Sequence, residues 1–206
     1  MMSRTIKPSS VKNISRFPSI KTQDPEGTLV ESILESEYCY HIEFNKKIRN
    51  YFAQPETFFF DINGKQKKYT PDFLTYDKTG HYTYIEVKPS KETKKKDYQE
   101  LFSAFESFIT KKNVSFKVVD EIEIQQKPLL TNYRILFQYL KCIPDNKHFR
   151  DCAKLVKTKR SLKETIQILE GVASKRDIFS WLAHEMLVFN WSSERLSNQT
   201  EVFFDV

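Results

Sequence analysis

The stretch "YTPDFLTYDKTGHYTYIEVKP", Tyr69 to Pro89, decides the fold. It reads as two strands around a tight turn, with Asp72, Glu86 and Lys88 set in aromatic-rich text of strand character. Side chains alternate across a strand, so Glu86 and Lys88 share a face with Tyr82 and Tyr84, while Thr83, Ile85 and Val87 fill the other. If the loop covers 77–81, Tyr76 faces Tyr82. Asp72 then falls opposite Glu86, with Cβ atoms about 5 Å apart. Two carboxylates so placed repel each other. A divalent cation removes that penalty, and oxygen ligands at this reach suit Mg²⁺. Lys88, one pleat further on, cannot ligate a metal while charged, but it can hold an attacking water or stabilise charge developing on a phosphate. The set fits phosphodiester hydrolysis, in which a metal lowers the pKa of bound water and polarises the phosphoryl oxygen. An E-x-K tripeptide alone is commonplace and usually a solvated ion pair. "PDF" ahead of "EVK", both on predicted strands and preceded by a glutamate-bearing helix, is far more specific.

Composition frames that hairpin. The chain has 206 residues, enough for one large domain or two small ones. Hydrophobic residues make up 39% and aromatics 14%, so it can build a packed core. With 4 glycines, a Gly-rich phosphate loop has little material. The formal net charge of +6 allows a polyanionic partner. Cys39, Cys142 and Cys152 are far apart, and the absence of CxxC and His-x-x-x-His pairs argues against structural zinc. The N-terminal text lacks an apolar signal core, and no apolar run reaches ~18 residues. These features predict a soluble protein of a reducing compartment, cytoplasmic and without a membrane partner.

Outward from the hairpin, the patterning predicts two folded parts. Residues 1–25 read as a basic arm carrying Arg4, Lys7, Lys12, Arg16 and Lys21. In "TLVESILESEYCYHIEF", Thr28 and Glu31 fit a capping box, so a helix is expected from near Leu29. Glu31 and Glu35 then share a face, and stacking two like charges gives a reason to suspect a task for at least one of them. Strands are expected at 56–62 and 67–76, joined by the turn signal Asn63-Gly64. Pro71 inside the second points to an edge, a bulge or a late start. A strand at 82–88 follows, then a helix with a buried stripe of Leu101, Phe102, Phe105, Phe108 and Ile109. "VSFKVV", 114–119, closes the set. The order is helix, three strands, helix, strand. Near Gln125–Leu130 the text turns helical. "SLKETIQILEG" opens with a second capping box, Ser161 to Glu164, and stops at Gly171. "SKRDIFSWLAHEML" is another helix, and the closing "LVFNWSSERLSNQTEVFFDV" alternates like a β-hairpin. Helices followed by a hairpin is a winged-helix layout. The expected division is an arm over 1–25, an α/β domain over 26–125 and a mostly α winged-helix domain over 126–206.

Asp72, Glu86 and Lys88 resemble the PD-(D/E)XK signature of the restriction-endonuclease-like fold, whose αβββαβ core has the order just read. The wider text "VESILESEYCYHIEFNKKIRNYFAQPETF", then "YTPDFL", then "IEVKP", resembles the TnsA family of endonuclease subunits in heteromeric cut-and-paste transposases. The resemblance covers residues 30–90 strongly and the remainder more loosely. It includes "QPETF", Gln54 to Phe58. It implies catalytic positions at Glu35 rather than Glu31, at Asp72 and at Lys88. Glu86 stands where some members carry Gln. The metal ligands implied are Asp72, Glu86 and the backbone carbonyl of Val87, with Glu35 reaching through water. Mg²⁺ is the implied cofactor, with Mn²⁺ expected to substitute. The implied activity is cleavage of the 5′ strands at transposon ends. The implied partners are double-stranded end DNA, a DDE-type transposase subunit that cuts the 3′ ends, and an AAA+ regulator ATPase, in a bacterial cytoplasmic, DNA-associated setting.

Other features carry less. Lysine runs are usually solvated faces, but Lys65, Lys67, Lys68, Lys91, Lys94, Lys95 and Lys96 flank the carboxylates and are expected near phosphate. A further basic run holds Lys154, Lys157, Lys159 and Arg160. His41, His81, His148 and His184 are scattered and expected to be structural. Trp181 and Trp191 read as core of the second domain. Lys175 and Arg176 begin the position of a recognition helix, although the resemblance associates this domain more with the regulator. Two alternatives remain: a stand-alone restriction or repair nuclease of the same fold, and a catalytically inactive DNA-end-binding module. The intact set Glu35, Asp72, Glu86 and Lys88 argues against the second.

Overall fold

Gly27 lets the described chain begin with a hairpin rather than a helix. Its φ is +89°, and a Cβ there would meet the Phe17 carbonyl oxygen at 2.3 Å, so only glycine fits. The turn it allows pairs strand β1, Ser15–Phe17, antiparallel with β2, Thr28–Val30. The computed structural model describes residues 14–22, 24, 26–110 and 114–206. Arg4, Lys7 and Lys12 of the expected basic arm lie outside the described residues. The described part of that arm is packed onto helix α1, Ile33–Phe44. Lys21 Nζ donates to the carbonyls of Ile42 and Asn45, 2.7 Å each, at the helix end where a cation suits the dipole. Buried Glu43 accepts from the Ile20 N–H at 3.0 Å and from the Tyr51 hydroxyl at 3.1 Å.

The expected helix start near Leu29 is therefore corrected. Thr28 is a strand residue, not a cap. Ser32 is the N-cap and accepts from the Glu35 N–H, so α1 opens four residues later than the Thr28–Glu31 spacing predicts. Strand pairing with β1 takes Thr28 and Val30 into the interior, and the second Ser/Glu spacing, Ser32 to Glu35, takes over the cap. Glu31 precedes the helix and shares no helix face with Glu35.

Strand β3, Ile48–Ala53, follows; then β4, Phe58–Ile62; β5, Lys65–Tyr69; β6, Phe73–Asp77; and β7, Tyr82–Val87. Helices α2, Ser90–Thr93, and α3, Lys96–Thr110, lead to β8, Ser115–Val119, and the short α4, Glu121–Ile124. The main sheet has the order β3-β6-β7-β8, antiparallel except for the parallel pair β7 and β8. The single strand expected over 67–76 is two strands in two sheets. β5 pairs with β4 about the Asn63-Gly64 turn, where both residues have positive φ, 51° and 76°. β6 joins the main sheet instead. Pro71 marks the break, because it has no N–H to give a ladder. β3 was not expected: "IRNYFA" lacks clean alternation, and Tyr51 alone of its six residues is buried.

The two faces of the sheet carry different aromatics. Phe73 packs toward Tyr38 of α1 and Tyr51 of β3, centroids 5.9 and 6.0 Å apart. Its neighbour Leu74, pointing the other way, joins Phe58, Phe60, Tyr69, Tyr84, Phe102, Phe105 and Ile109 in a core under α3. The predicted stripe of α3 is this face: Phe102, Phe105 and Ile109 are buried, and Leu101 and Phe108 pack at its margin. The β4–β5 hairpin supplies the rest of that core through Phe58, Phe60 and Tyr69.

Contacts divide the chain at Gln125 and Gln126 into two units. The second contains α5, Leu129–Leu136, running into a 3-10 turn at Phe137–Tyr139, and α6, Asn146–Ala153. β9, Arg160–Ser161, leads into α7, Leu162–Ile168, whose Ser161–Glu164 capping box is formed in both directions. Then come α8, Lys175–Ala183, with a second box, Ser174 to Asp177; β10, Leu187–Val188; and β11, Glu201–Phe204. The sheet order is β10-β11-β9, all antiparallel. Trp181, 1% exposed, packs against Phe149 and Phe204. Buried Asn132 clamps the loop before β11: its amide donates to the carbonyls of Trp191 and Glu194, and its oxygen accepts from the Leu196 N–H. Among the described residues no helix is long and apolar enough to cross a membrane.

Candidate active site

The break at Pro71 puts Asp72 just ahead of β6. The register of β6 and β7 pairs Tyr76 with Tyr82 and Phe73 with Ile85. One step further brings Asp72 across from Glu86. Three groups fix Asp72. Its Oδ2 accepts from the Val87 N–H at 2.8 Å. Its carbonyl accepts from the Gln54 N–H at 2.7 Å. Its Oδ1 receives the Gln54 side-chain amide at 3.4 Å. Asp72 keeps part of its surface open to solvent.

Glu86 is 4% exposed, on the α3 side of the sheet. The Tyr69 hydroxyl donates to its Oε2 at 2.8 Å, and the Lys88 ammonium lies 2.9 Å from its Oε1. Lys88 follows the last residue of β7, where its N–H still bonds the Val119 carbonyl of β8 at 3.0 Å. Its Nζ lies 5.2 Å from the ring centroid of Tyr98, which suits a cation over an aromatic face. Glu35, 6% exposed, comes from the first turn of α1. Its Oε1 accepts from the Ser32 hydroxyl at 2.8 Å, and its Oε2 from the Glu31 N–H at 2.9 Å.

Electrostatics ties these residues into one cluster. Burial holds the Asp72 carboxyl well above the usual carboxylate range, the charges of Glu86 and Glu35 add to the rise, and the Val87 N–H and Lys88 oppose it. Burial also raises Glu35; the Glu31 N–H and Ser32 offset it, and the charges of Glu31 and Glu86 reinforce it. Burial works against the charge of Lys88, but Glu86 more than offsets it, so the ammonium is held above its ordinary range. Burial and then Glu86 push the Tyr69 hydroxyl far up, which keeps it a donor. Crowded acids beside one fixed cation are the pattern of a site that handles a charged group. Among the described residues no three His, Cys, Asp or Glu side chains are gathered as a ready metal cage. The reason is local: the oxygens of Glu35 and Glu86 turn to Ser32, Glu31, Tyr69 and Lys88.

The other expected residues fall outside the cluster. Lys65, Lys67 and Lys68 line exposed β5, whose last residue is Tyr69. Lys91, Lys94, Lys95 and Lys96 are exposed, and two of them serve their own helical turns: Lys95 pairs with Glu92 at 2.7 Å and Lys96 with Glu100 at 3.7 Å. His41 bonds the Ile124 carbonyl at 2.8 Å and His184 the Cys142 carbonyl at 3.0 Å, both structural contacts. Sequence reasoning assigned no role to Tyr69, Gln54 or Tyr98. Tyr69 opens the quoted hairpin and Gln54 opens "QPETF"; Tyr98 carries no signal in the sequence.

Residues 45–121 match the family model described as TnsA-like endonuclease N terminal. The match spans β3 to the start of α4 and contains Gln54, Asp72, Glu86 and Lys88, while Glu35 lies ahead of it. The segment is similar to a TnsA-like endonuclease N-terminal domain, which supports the resemblance read from the sequence. No curated protein matches the chain.

Proposed function

We propose that this protein is the endonuclease subunit of a heteromeric transposase and hydrolyses the 5′ strands at transposon ends in a metal-dependent reaction. The observation that carries the reading is the cluster at one end of β6 and β7. Two acids on adjacent strand ends and one lysine meet there, within a segment that matches a TnsA-like endonuclease, and a third acid from α1, ahead of that segment, adds its charge to theirs. The donor set fits a divalent cation: it offers carboxylate oxygens, and burial and neighbouring acids disfavour the charge of Asp72 and of Glu35. Asp72, Glu86 and the Val87 carbonyl would hold it, with Glu35 reaching through water. When bound, Mg²⁺ or Mn²⁺ supplies the acidity that makes water a nucleophile at neutral pH.

The chain's own residues do the rest. Val87 and Gln54 hold Asp72 in one orientation. Tyr69 keeps Glu86 from rotating, because the hydroxyl bond fixes one of its two oxygens. Lys88 supplies the cation: with a partly exposed side chain, it can reach from Glu86 toward the reacting phosphate and neutralise the charge that grows there. To exposed Lys65, Lys67 and Lys68, with Lys91 and Lys94–Lys96, we assign contact with the flanking phosphates. In the second unit, the succession α6, β9, α7, α8, β10, β11 supports a winged helix, which we assign to contact with the AAA+ regulator rather than to groove binding. A DDE-type transposase completes the cut at the 3′ ends. The test is to mix the full chain with its cognate transposase and end DNA and map 5′-strand nicks with and without Mg²⁺. Nicks that appear only with both partner and metal support the reading. Metal-independent nicking, or specific cutting by the chain alone, would overturn it.

A further inference from the structure

Gln54 stands in a conformation its residue type disfavours. Its φ is +46°, in the left-handed region. Among the described residues two other non-glycine positions share such a φ, and each has a local reason: Asn63 forms a two-residue hairpin turn, and Glu185 follows the end of α8. Gln54 lies in neither setting, and Pro55 after it further disfavours a helical backbone. Its side chain is nonetheless buried, 3% exposed. Strain of this kind persists only where surrounding contacts over-determine it. Here those contacts converge on one residue: the Gln54 N–H bonds the Asp72 carbonyl at 2.7 Å, and its side-chain amide reaches Asp72 Oδ1 at 3.4 Å. Val87 takes the other oxygen, Oδ2. Gln54 therefore grips both the main chain and the carboxylate of Asp72 from just past the end of β3, the strand on the far side of β6 from Glu86.

We propose that Gln54 is a positioning residue that orients the Asp72 carboxylate for a divalent cation, and that its left-handed backbone is retained for that purpose. The inference rests on Asp72 being a metal ligand. An amide donor on Oδ1 fixes the carboxylate plane while leaving further lone pairs for the ion. Hydrogen bonds of this kind to a ligating group are worth about 10–100-fold in metal affinity or activity.

The decisive variant is Gln54→Gly in the full chain. Glycine accepts the positive φ and retains the main-chain bond, so only the amide is lost. Calorimetry with Mn²⁺ alone should show affinity weakened about tenfold or more, and the Mn²⁺ concentration for half-maximal 5′ nicking should rise with it, while the melting temperature stays near wild type. Gln54→Asn, which tolerates the same φ and keeps a shorter amide, should fall between. If Gln54→Gly binds Mn²⁺ with wild-type affinity, the proposal is overturned, whether or not its melting temperature drops, since a purely structural residue gives that result. Asp72→Ala separates the two levels. If it retains nicking, the reading of the site fails. If it is inactive and Gln54→Gly is wild-type, only the role of Gln54 fails.

Discussion

Lys88 and Glu86 hold each other: Nζ lies 2.9 Å from Oε1, with the lysine side chain 25% exposed and the glutamate 5%. Glu86 lies in β7 and Lys88 just past its end, two residues on, so continued alternation puts them on one face, as the spacing of "EVK" predicts. The pairing keeps Lys88 charged, because the folded chain holds its ammonium above the ordinary value of 10.5. Lys88→Ala removes that cation from a buried carboxylate. We expect a loss of about 2–3 kcal/mol, somewhat less than for a fully buried pair, together with loss of most cleavage. A raised lysine pKa contributes stability below the unfolded value and loses it as pH rises through the folded one. The stability gap between wild type and Lys88→Ala should therefore be constant from pH 7 to 9 and close only in strong alkali. Urea melts across that range check it. A gap already closing at neutral pH would show that Lys88 does not hold Glu86.

Asp72 gives the opposite dependence. Its folded carboxyl sits well above the ordinary 3.8, through burial and through Glu86 and Glu35. Between the unfolded and folded values the native state holds more protons than the unfolded one, so stability falls as pH rises through that window. Asp72→Asn removes the effect. Without divalent cation, the variant should match wild type near pH 4 and become more stable than wild type as pH rises, by about 1.4 kcal/mol for each unit that separates the two values. Mg²⁺ should narrow the gap at neutral pH by stabilising wild type alone. Thermal melts of both proteins, with and without Mg²⁺, read this directly. A gap unchanged by Mg²⁺ would count against Asp72 as a ligand.

Gly27→Ala should open the N-terminal hairpin. The new Cβ would lie 2.3 Å from the Phe17 carbonyl oxygen, and the backbone cannot yield while β1 and β2 stay paired. Strain at such a position is of order 1–3 kcal/mol, and we expect about 3 because a clash adds to the positive φ. Hydrogen exchange should rise first at Arg16 and Leu29, which face each other in the hairpin. Exchange rates matching wild type there would mean that the hairpin does not depend on the glycine.

Local rules carried part of the sequence reading, and tertiary competition explains the rest. The Tyr76–Tyr82 register was legible because a five-residue loop fixes it, and with it the approach of Asp72 to Glu86. The Ser161–Glu164 cap was legible because a capping box is local. The stripe of α3 was legible because helical spacing sorts Phe102, Phe105 and Ile109 onto one face. β3 was not legible, because its strand character comes from pairing with β6 rather than from alternation. Nor was the split of 67–76: Pro71 announced a break, but only the partners of Tyr69 and Phe73, Phe58 on one side and Ala53 with Ile85 on the other, decide which sheet each half joins. Tyr69 and Gln54 reach the site through contacts 17 and 18 residues away in sequence, which no local pattern records.

Ser32, Glu35 and Glu31 provide the sharpest test of how one carboxylate serves both fold and site. Glu35 is the third residue of α1 and closes a reciprocal cap with Ser32: its N–H donates to Ser32 Oγ at 3.1 Å, and Ser32 Oγ donates to its Oε1 at 2.8 Å. Its Oε2 accepts the Glu31 N–H, a main-chain bond that no Glu31 side-chain change removes. Ser32→Ala should cost about 1 kcal/mol, as cap losses do. Glu31→Gln should leave cleavage within about twofold of wild type and stability within about 0.5 kcal/mol, since the change keeps the size and shape of the side chain and lies ahead of the α1 cap. Glu35→Gln is the informative case. Glutamine also serves in a capping box, so the helix start should hold, and the lost charge relieves repulsion with Glu31 and Glu86. Stability should stay within about 0.5 kcal/mol of wild type or rise, while 5′ nicking falls by about a hundredfold or more. Nicking assays and melts on the three variants decide the matter. Were Glu35→Gln to melt early and still nick normally, Glu35 would be a cap and nothing more. Were Glu31→Gln the inactive variant, the acid that α1 contributes would belong one turn earlier, ahead of the helix.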